Sequence, residues 1–150
     1  MAKGFAATIG AWGSATKARP LAIQKRSIEL LAEEMVNTKP NGGRVPFQTG
    51  NLARSLLAST QGMPKTSTTP TAGGNVGALV ATLQPGQSVY LGYQAVYARR
   101  MNYGFVGADS LGRVYNQAGN YFVEGAIANW QQIVTQAAKE LQASVESRTK

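Results

Sequence analysis

Residues 121–145 constrain the fold most. Val123, Ile127, Trp130, Val134, Ala137, Leu141 and Val145 recur at steps of three and four, which is one face of an α-helix. Phe122, Ala126 and Ile133 widen that stripe. Asn120 is suited to the N-cap, and Glu124 falls in the first turn, where negative charge suits the helix dipole. Such a helix would be ~36 Å long, enough to cross a small domain. The expectation is a core helix on which the rest of the chain packs.

A second apolar stripe, Leu21, Ile28, Leu31 and Met35, predicts an earlier helix, with Pro20 in its first turn or at a kink. Lys25 and Glu29 stand one turn apart, as an ion pair would. Before it, residues 1–19 place Phe5, Ile9 and Trp12 on one face, but Gly10, Gly13 and Ser14 weaken the pattern. That segment reads as a short helix or as an arm that packs on a neighbour. Pro40-Asn41-Gly42-Gly43 ends the second stripe with a turn. Thr49 is placed to cap a short helix carrying Leu52, Leu56 and Leu57.

Residues 58–75 are rich in Ser, Thr, Gly and Pro and read as a long loop. Residues 75–83 read as a strand, apolar on both faces. Gln84-Pro85-Gly86-Gln87 has Pro and Gly where a type II turn needs them. Val89, Leu91 and Tyr93 then mark a second strand, completing a hairpin. Residues 95–103 predict a short helix stopped by Gly104. Residues 105–120 are a loop or a small hairpin turning at Gly112 and Gly119. The whole, residues 1–150, reads as a single α+β domain: a small antiparallel sheet against a long C-terminal helix and an N-terminal helix, with long loops.

The chain carries no Cys and no His, so it lacks a thiolate, the commonest general base and the commonest metal ligand. No serine sits in a nucleophile elbow, and neither Gly-rich piece ends in the Lys-Ser/Thr of a phosphate loop. Asp109 and Glu124 could approach each other, but no spacing pairs them. No enzyme, cofactor or metal site is expected. No run is apolar enough to cross a membrane, and the first residues lack the core of a secretory signal, so a cytoplasmic origin is expected. The net charge is +8, and between Glu34 and Asp109 there are six cations and no acid: Lys39, Arg44, Arg54, Lys65, Arg99 and Arg100. That section is either a solvated basic face or a contact for an anionic partner. Tyr90, Tyr93, Tyr97 and Tyr103 lie near Arg99 and Arg100; the simpler account is strand and helix tyrosines of mixed burial, and the other is a surface that stacks bases, as in some nucleic-acid binders.

Two stretches carry a family resemblance. Val45-Pro46-Phe47-Gln48-Thr49-Gly50-Asn51-Leu52-Ala53-Arg54-Ser55 resembles the Pro-x-x-Thr-Gly-x-Leu-x-x-Ser signature of the neck and tail-completion (head–tail joining) proteins of tailed bacteriophages. Val96-Tyr97-Ala98-Arg99-Arg100-Met101-Asn102-Tyr103-Gly104 resembles that family's second mark, a Tyr-Ala pair followed by Gly. The matching positions are Pro46, Thr49, Gly50, Leu52, Ser55, Tyr97, Ala98 and Gly104. The chain departs from the family at Gln48 and Asn102, where an amide replaces the usual acid; an amide still bonds to backbone.

The resemblance implies a virion protein, assembled in the host cytoplasm into a neck, tail-completion or tail-terminator ring around the DNA exit channel. It implies no cofactor. Its partners would be copies of itself in a sixfold or twelvefold ring, the adjacent connector or head-closure and tail-tube proteins, and passing DNA without sequence preference. Loops 58–75 and 105–120 are then expected to reach neighbours, and Arg99 and Arg100 to face an acidic partner or DNA. The alternative is a free basic nucleic-acid-binding protein.

Overall fold

The computed structural model describes residues 5–69 and 73–149, with the side chains of the first helix described at position 10 and from residue 18 onward. The fold is α+β. Among the described residues, six α-helices surround two separate two-stranded antiparallel sheets. In chain order these are α1 (Phe5–Val36), α2 (Asn51–Arg54), β1 (Leu56–Ser59), α3 (Val76–Thr82), β2 (Tyr90–Tyr93), α4 (Ala98–Tyr103), β3 (Gly104–Ala108), β4 (Val114–Ala118), α5 (Phe122–Ala128) and α6 (Trp130–Arg148).

The organising element is α1, not the last helix. Three of its faces are covered by different partners. Ala32 and Met35 pack with Leu56 of β1 and Ala126 of α5. Ile28 packs with Val80 and Leu83 at α3. Leu30 packs with Ile133 and Ala137 of α6. A helix covered on several sides needs apolar or small residues around much of its circumference, and positions 27, 28, 30, 32 and 35 supply them. Buried Ser27 satisfies its hydroxyl on the Ile23 carbonyl at 2.7 Å. The helix continues through Pro20. Proline's fixed φ is helical, but it removes one donor and its ring crowds the carbonyl one turn back; from Leu21 onward tertiary packing holds the helix. The face proposed for Phe5, Ile9 and Trp12 lies outside the described side chains.

The C-terminal stretch is helical but broken. Asn129, at φ −88° and ψ 4°, separates α5 from α6 and donates its amide to Glu34 of α1. The buried face is Phe122, Ala126, Ile133 and Ala137, whereas Ile127, Trp130 and Val145 are exposed. The apolar stripe is thus rotated from the one the spacing favours, because the break re-aims each half: α5 sets Ala126 against Ala32, Met35 and Leu56, and α6 sets Ile133 and Ala137 against Leu30. Asn120 does not cap. Its side chain bonds the Met101 carbonyl, and Tyr121 precedes α5 in the left-handed region at φ 49°.

The 75–83 run forms a helix, α3 (Val76–Thr82), and not a strand. Val76, Leu79, Val80 and Leu83 also fit a helical face, since a short apolar run satisfies both periodicities. The partner of β2 is instead β1, with Leu56 opposite Tyr93 and Ser59 opposite Tyr90. Leu56 and Leu57 therefore belong to a strand, and the helix before them is a single turn. On the free edge of β1, the Asn75 side chain donates to the Ala58 carbonyl at 2.9 Å and accepts from its N–H at 2.7 Å. One amide thus does there what a third strand would do, and blunts the edge. The Gln84–Gln87 turn closes as expected, with Gly86 at φ 82° and a bond from the Gln87 N–H to the Gln84 carbonyl, but it joins a helix to a strand.

The turn after α1 also forms, with Gly42 left-handed at φ 83°. Lys25 and Glu29 do not pair. Lys25 donates to the Ala81 carbonyl, and Glu29 joins Glu33 and Glu140 around Arg26. That arrangement raises the Arg26 pKa, chiefly through the Glu140 bond, and links α1 to α6. Of the 58–75 loop, Ala58 and Ser59 are strand, Ser67 bridges to Ala95, and residues 70–72 lie outside the description. Residues 105–120 resolve as the hairpin β3–β4.

Candidate functional site

The two stretches singled out in the sequence meet. Val45 and Leu52 from the first, and Ala98 from the second, form one buried cluster with Ala95 and Phe122. Asn51 donates its side-chain amide to the Tyr97 hydroxyl at 2.9 Å. Just before the second stretch, the Gln94 N–H donates to the Ser55 carbonyl at 2.8 Å. Pro46 is half-buried beside fully buried Val45.

The chain reaches this joint through Gly50, which starts α2 from the left-handed region at φ 75°. A Cβ there would stand 2.9 Å from the Arg54 guanidinium and 3.0 Å from the Phe47 ring. Arg54 curls back over the glycine and donates to the Thr49 carbonyl at 3.0 Å. The Thr49 hydroxyl accepts from the Asn51 N–H at 3.4 Å, a bond local to the turn. The helix N-cap itself is Gly50 and has no side-chain bond, so Thr49 shapes the turn and does not cap. Ser55 is buried and donates its hydroxyl to the Leu52 carbonyl at 2.7 Å, which ends the turn of helix before β1. Leu52 is the apolar anchor between these polar groups.

The second stretch is α4 and its exit. Tyr97 precedes the helix, Ala98 is the small residue that lets it approach the cluster, and Gly104 ends it at φ 87°. A Cβ on Gly104 would fall 2.5 Å from the Gln117 carbonyl, so the helix-to-hairpin step accepts no side chain.

Asn102 is the residue whose role the sequence only hinted at. It is 3% exposed, and both ends of its side-chain amide are bonded. Its side-chain oxygen accepts from the Val123 N–H at 3.1 Å, and its amide donates to Glu124 at 2.7 Å. Its backbone carbonyl accepts from the Tyr121 N–H at 2.9 Å. Asn102 therefore supplies the N-terminal bond that α5's own flanking residue does not. Bonds from Tyr103 and Asn102 hold the Glu124 carboxyl below its usual range. The same contact pushes the Tyr103 hydroxyl up. The signal was present as an amide where the resembled family carries an acid; its partner, Glu124, is 22 residues away.

Arg99 and Arg100 are both exposed on α4. Arg100 lies over the Phe105 ring, 4.3 Å from its centroid. Tyr97, Tyr103 and Tyr121 are exposed near them, with Tyr103 and Tyr121 in edge contact at 6.4 Å. Tyr93 stands apart from this surface. It packs edge-on to Phe122 at 5.2 Å and donates its hydroxyl to the Met35 carbonyl, and burial pushes its pKa up. Tyr90, 40% exposed, lies on β2.

Asp109 and Glu124 do not meet as a pair. Asp109 is taken up within its own hairpin by Leu111, Arg113 and Tyr115, while Glu124 belongs to Asn102 and Tyr103. Among the described residues no three His, Cys, Asp or Glu side chains gather as metal ligands would. No helix among them is long and apolar enough to cross a membrane. The arrangement is a packed joint with a basic, aromatic surface on one side. Comparison with known family models, curated proteins and solved structures found no match.

Proposed function

We propose that the chain is a structural protein of the phage head–tail junction: a neck, tail-completion or tail-terminator subunit that forms a ring around the DNA exit channel. The observation that carries this reading is the convergence of the two resembling stretches. They lie some forty residues apart in sequence yet share one buried cluster and the Asn51–Tyr97 bond. Residues that shape one architecture are expected to meet in this way. In this reading Pro46, Thr49, Gly50, Leu52, Ser55, Tyr97, Ala98 and Gly104 shape the subunit, and none of them performs chemistry. The partners are further copies, the neighbouring connector and tail-tube rings, and DNA held without sequence preference.

The test is location. Mass spectrometry of purified particles of the phage that encodes the chain, with antibody labelling in negative stain, is expected to place it at the collar between capsid and tail. Its absence from particles refutes the proposal.

A second reading has its own support, the exposed Tyr97, Tyr103 and Tyr121 beside Arg99 and Arg100. A free nucleic-acid-binding protein would use such a surface for stacking and phosphate contact. It predicts binding to short DNA whose affinity falls steeply with salt, and loss of that slope in the Arg99→Glu, Arg100→Glu variant.

A further inference from the structure

Among the described residues, Tyr121 is the one residue other than glycine whose backbone stands in the left-handed region, at φ 49° and ψ 41°. An L-residue with a bulky side chain is strained there, because its Cβ crowds the backbone. Two bonds hold it in place. The Tyr121 N–H donates to the Asn102 carbonyl, and the Tyr121 carbonyl accepts from the Gly125 N–H, each at 2.9 Å. Glycine would take the same position without strain. The side chain returns little inside the fold. Its ring is 51% exposed and meets Tyr103 in an edge contact, centroids 6.4 Å apart. Its hydroxyl forms no hydrogen bond among the described residues. Strain that burial does not offset points to a use of the side chain outside the fold.

The surroundings of that ring suit one kind of partner. Tyr103, 55% exposed, stands beside it with its plane roughly perpendicular. Arg99 and Arg100 lie one helical turn before Tyr103 on α4, and neither forms an ion pair among the described residues. Arg99 and Tyr103 line a cavity of about 190 Å³ together with Thr66, Val96, Phe122 and Val123, so the residue after Tyr121 forms part of its wall. The nearby Glu124 carboxylate is already bonded by Asn102 and Tyr103. Unpaired cations beside exposed aromatic faces fit a phosphate backbone with free bases: phosphate takes the arginines, and a base takes the ring.

We infer that Tyr121 is the base-stacking residue of this surface, and that its partner is single-stranded nucleic acid. Arg99 and Arg100 hold phosphates and set the salt dependence. Tyr121 presents its exposed ring to one base. A duplex stacks its base faces on each other, so it offers phosphates to the arginines and nothing to Tyr121. The inference rests on the reading of this surface as a nucleic-acid contact. It adds the state of the strand and the side chain that reads it, and needs no place in a virion.

Fluorescence anisotropy tests it with three labelled probes of equal length: oligo-dT, an abasic strand and a duplex. The proteins are the wild type, Tyr121→Gly, and the Arg99→Glu, Arg100→Glu variant. The wild type is expected to bind oligo-dT about tenfold tighter than the abasic strand, the scale of one stacked base. Tyr121→Gly is expected to lose that preference while keeping its salt slope and its affinity for the duplex. The arginine variant is expected to lose the salt slope. Urea unfolding adds a readout that a merely structural role would not give. The midpoint of Tyr121→Gly is expected at or above that of the wild type, because the substitution relieves strain.

Equal binding of oligo-dT and the abasic strand by the wild type would overturn the stacking role. So would a preference that survives in Tyr121→Gly, or a lowered urea midpoint in that variant, which would make Tyr121 a residue of the fold. Tighter binding of the duplex than of oligo-dT would overturn the assignment of the strand. In each of these cases the arginines still bind nucleic acid and the broader reading stands. A wild type that binds none of the three probes refutes that reading, and this inference with it.

Discussion

Replacing Asn102 by aspartate alters little volume but reverses one hydrogen bond. The Asn102 amide donates to Glu124 at 2.7 Å; an aspartate would set a second carboxylate against that oxygen. Two full charges at such a distance repel by roughly 6 kcal/mol at an effective dielectric near 20. Keeping a proton on an ordinary carboxyl at pH 7 costs roughly 4 kcal/mol. Proton capture is the cheaper outcome, so the pair keeps one proton and the cost is capped near that second figure. A shared-proton bond returns part of it, leaving an expected loss of about 2–4 kcal/mol at pH 7.

The sign of the pH dependence follows. In Asn102→Asp the introduced carboxyl and Glu124 titrate as a pair whose upper folded pKa is raised above the unfolded value, so the folded state binds the extra proton. The variant's deficit is absent below about pH 4, grows as pH rises through the unfolded carboxylate value, and levels off above the folded one. Urea unfolding of wild type and variant at pH 4 and pH 7 measures this directly. Adding Glu124→Gln to the variant restores a donor and is expected to recover most of the loss, because the aspartate still accepts from the Val123 N–H. A deficit under about 1 kcal/mol at pH 7, equal deficits at both pH values, or no rescue by Glu124→Gln would refute the assignment of Glu124 as the partner.

Two further perturbations probe the joint and the hairpin. Gly50→Ala is expected to cost about 1–2 kcal/mol by denaturant unfolding, from the left-handed backbone alone, and to free Arg54 from the Thr49 carbonyl. An unchanged midpoint would mean that the turn relaxes. Partial desolvation opposes ionisation of Asp109, but the bonds from Arg113, Leu111 and Tyr115 outweigh it and hold the carboxyl below its usual range. Its contribution is therefore present above the ordinary carboxylate pKa near 4 and lost as pH falls through the depressed folded value. Hydrogen exchange should show reduced protection at the Leu111 and Arg113 amides in Asp109→Ala, and in the wild type at low pH, with α1 and α6 unaffected. Equal protection in both proteins would show that the β3–β4 ladder, not Asp109, orders the tip.

Local chemistry was legible in the sequence. Gly104 had to end α4, Pro85-Gly86 had to turn, and Pro40 to Gly43 had to stop α1, because each depends on dihedral preferences within four residues. The helical character of the last stretch was equally plain from its period. Tertiary structure decided what those periods left open. The 75–83 run fits a strand or a helix, and packing of Val80 and Leu83 on Ile28 selected the helix. That left β1 as the partner of β2, at a separation no local pattern encodes. The Asn129 break, fixed by Glu34 on a distant helix, chose which apolar stripe faces inward. The candidate joint divides the same way: its residues could be named from sequence, but the Asn51–Tyr97 and Asn102–Glu124 bonds exist only because folding brings together groups tens of residues apart.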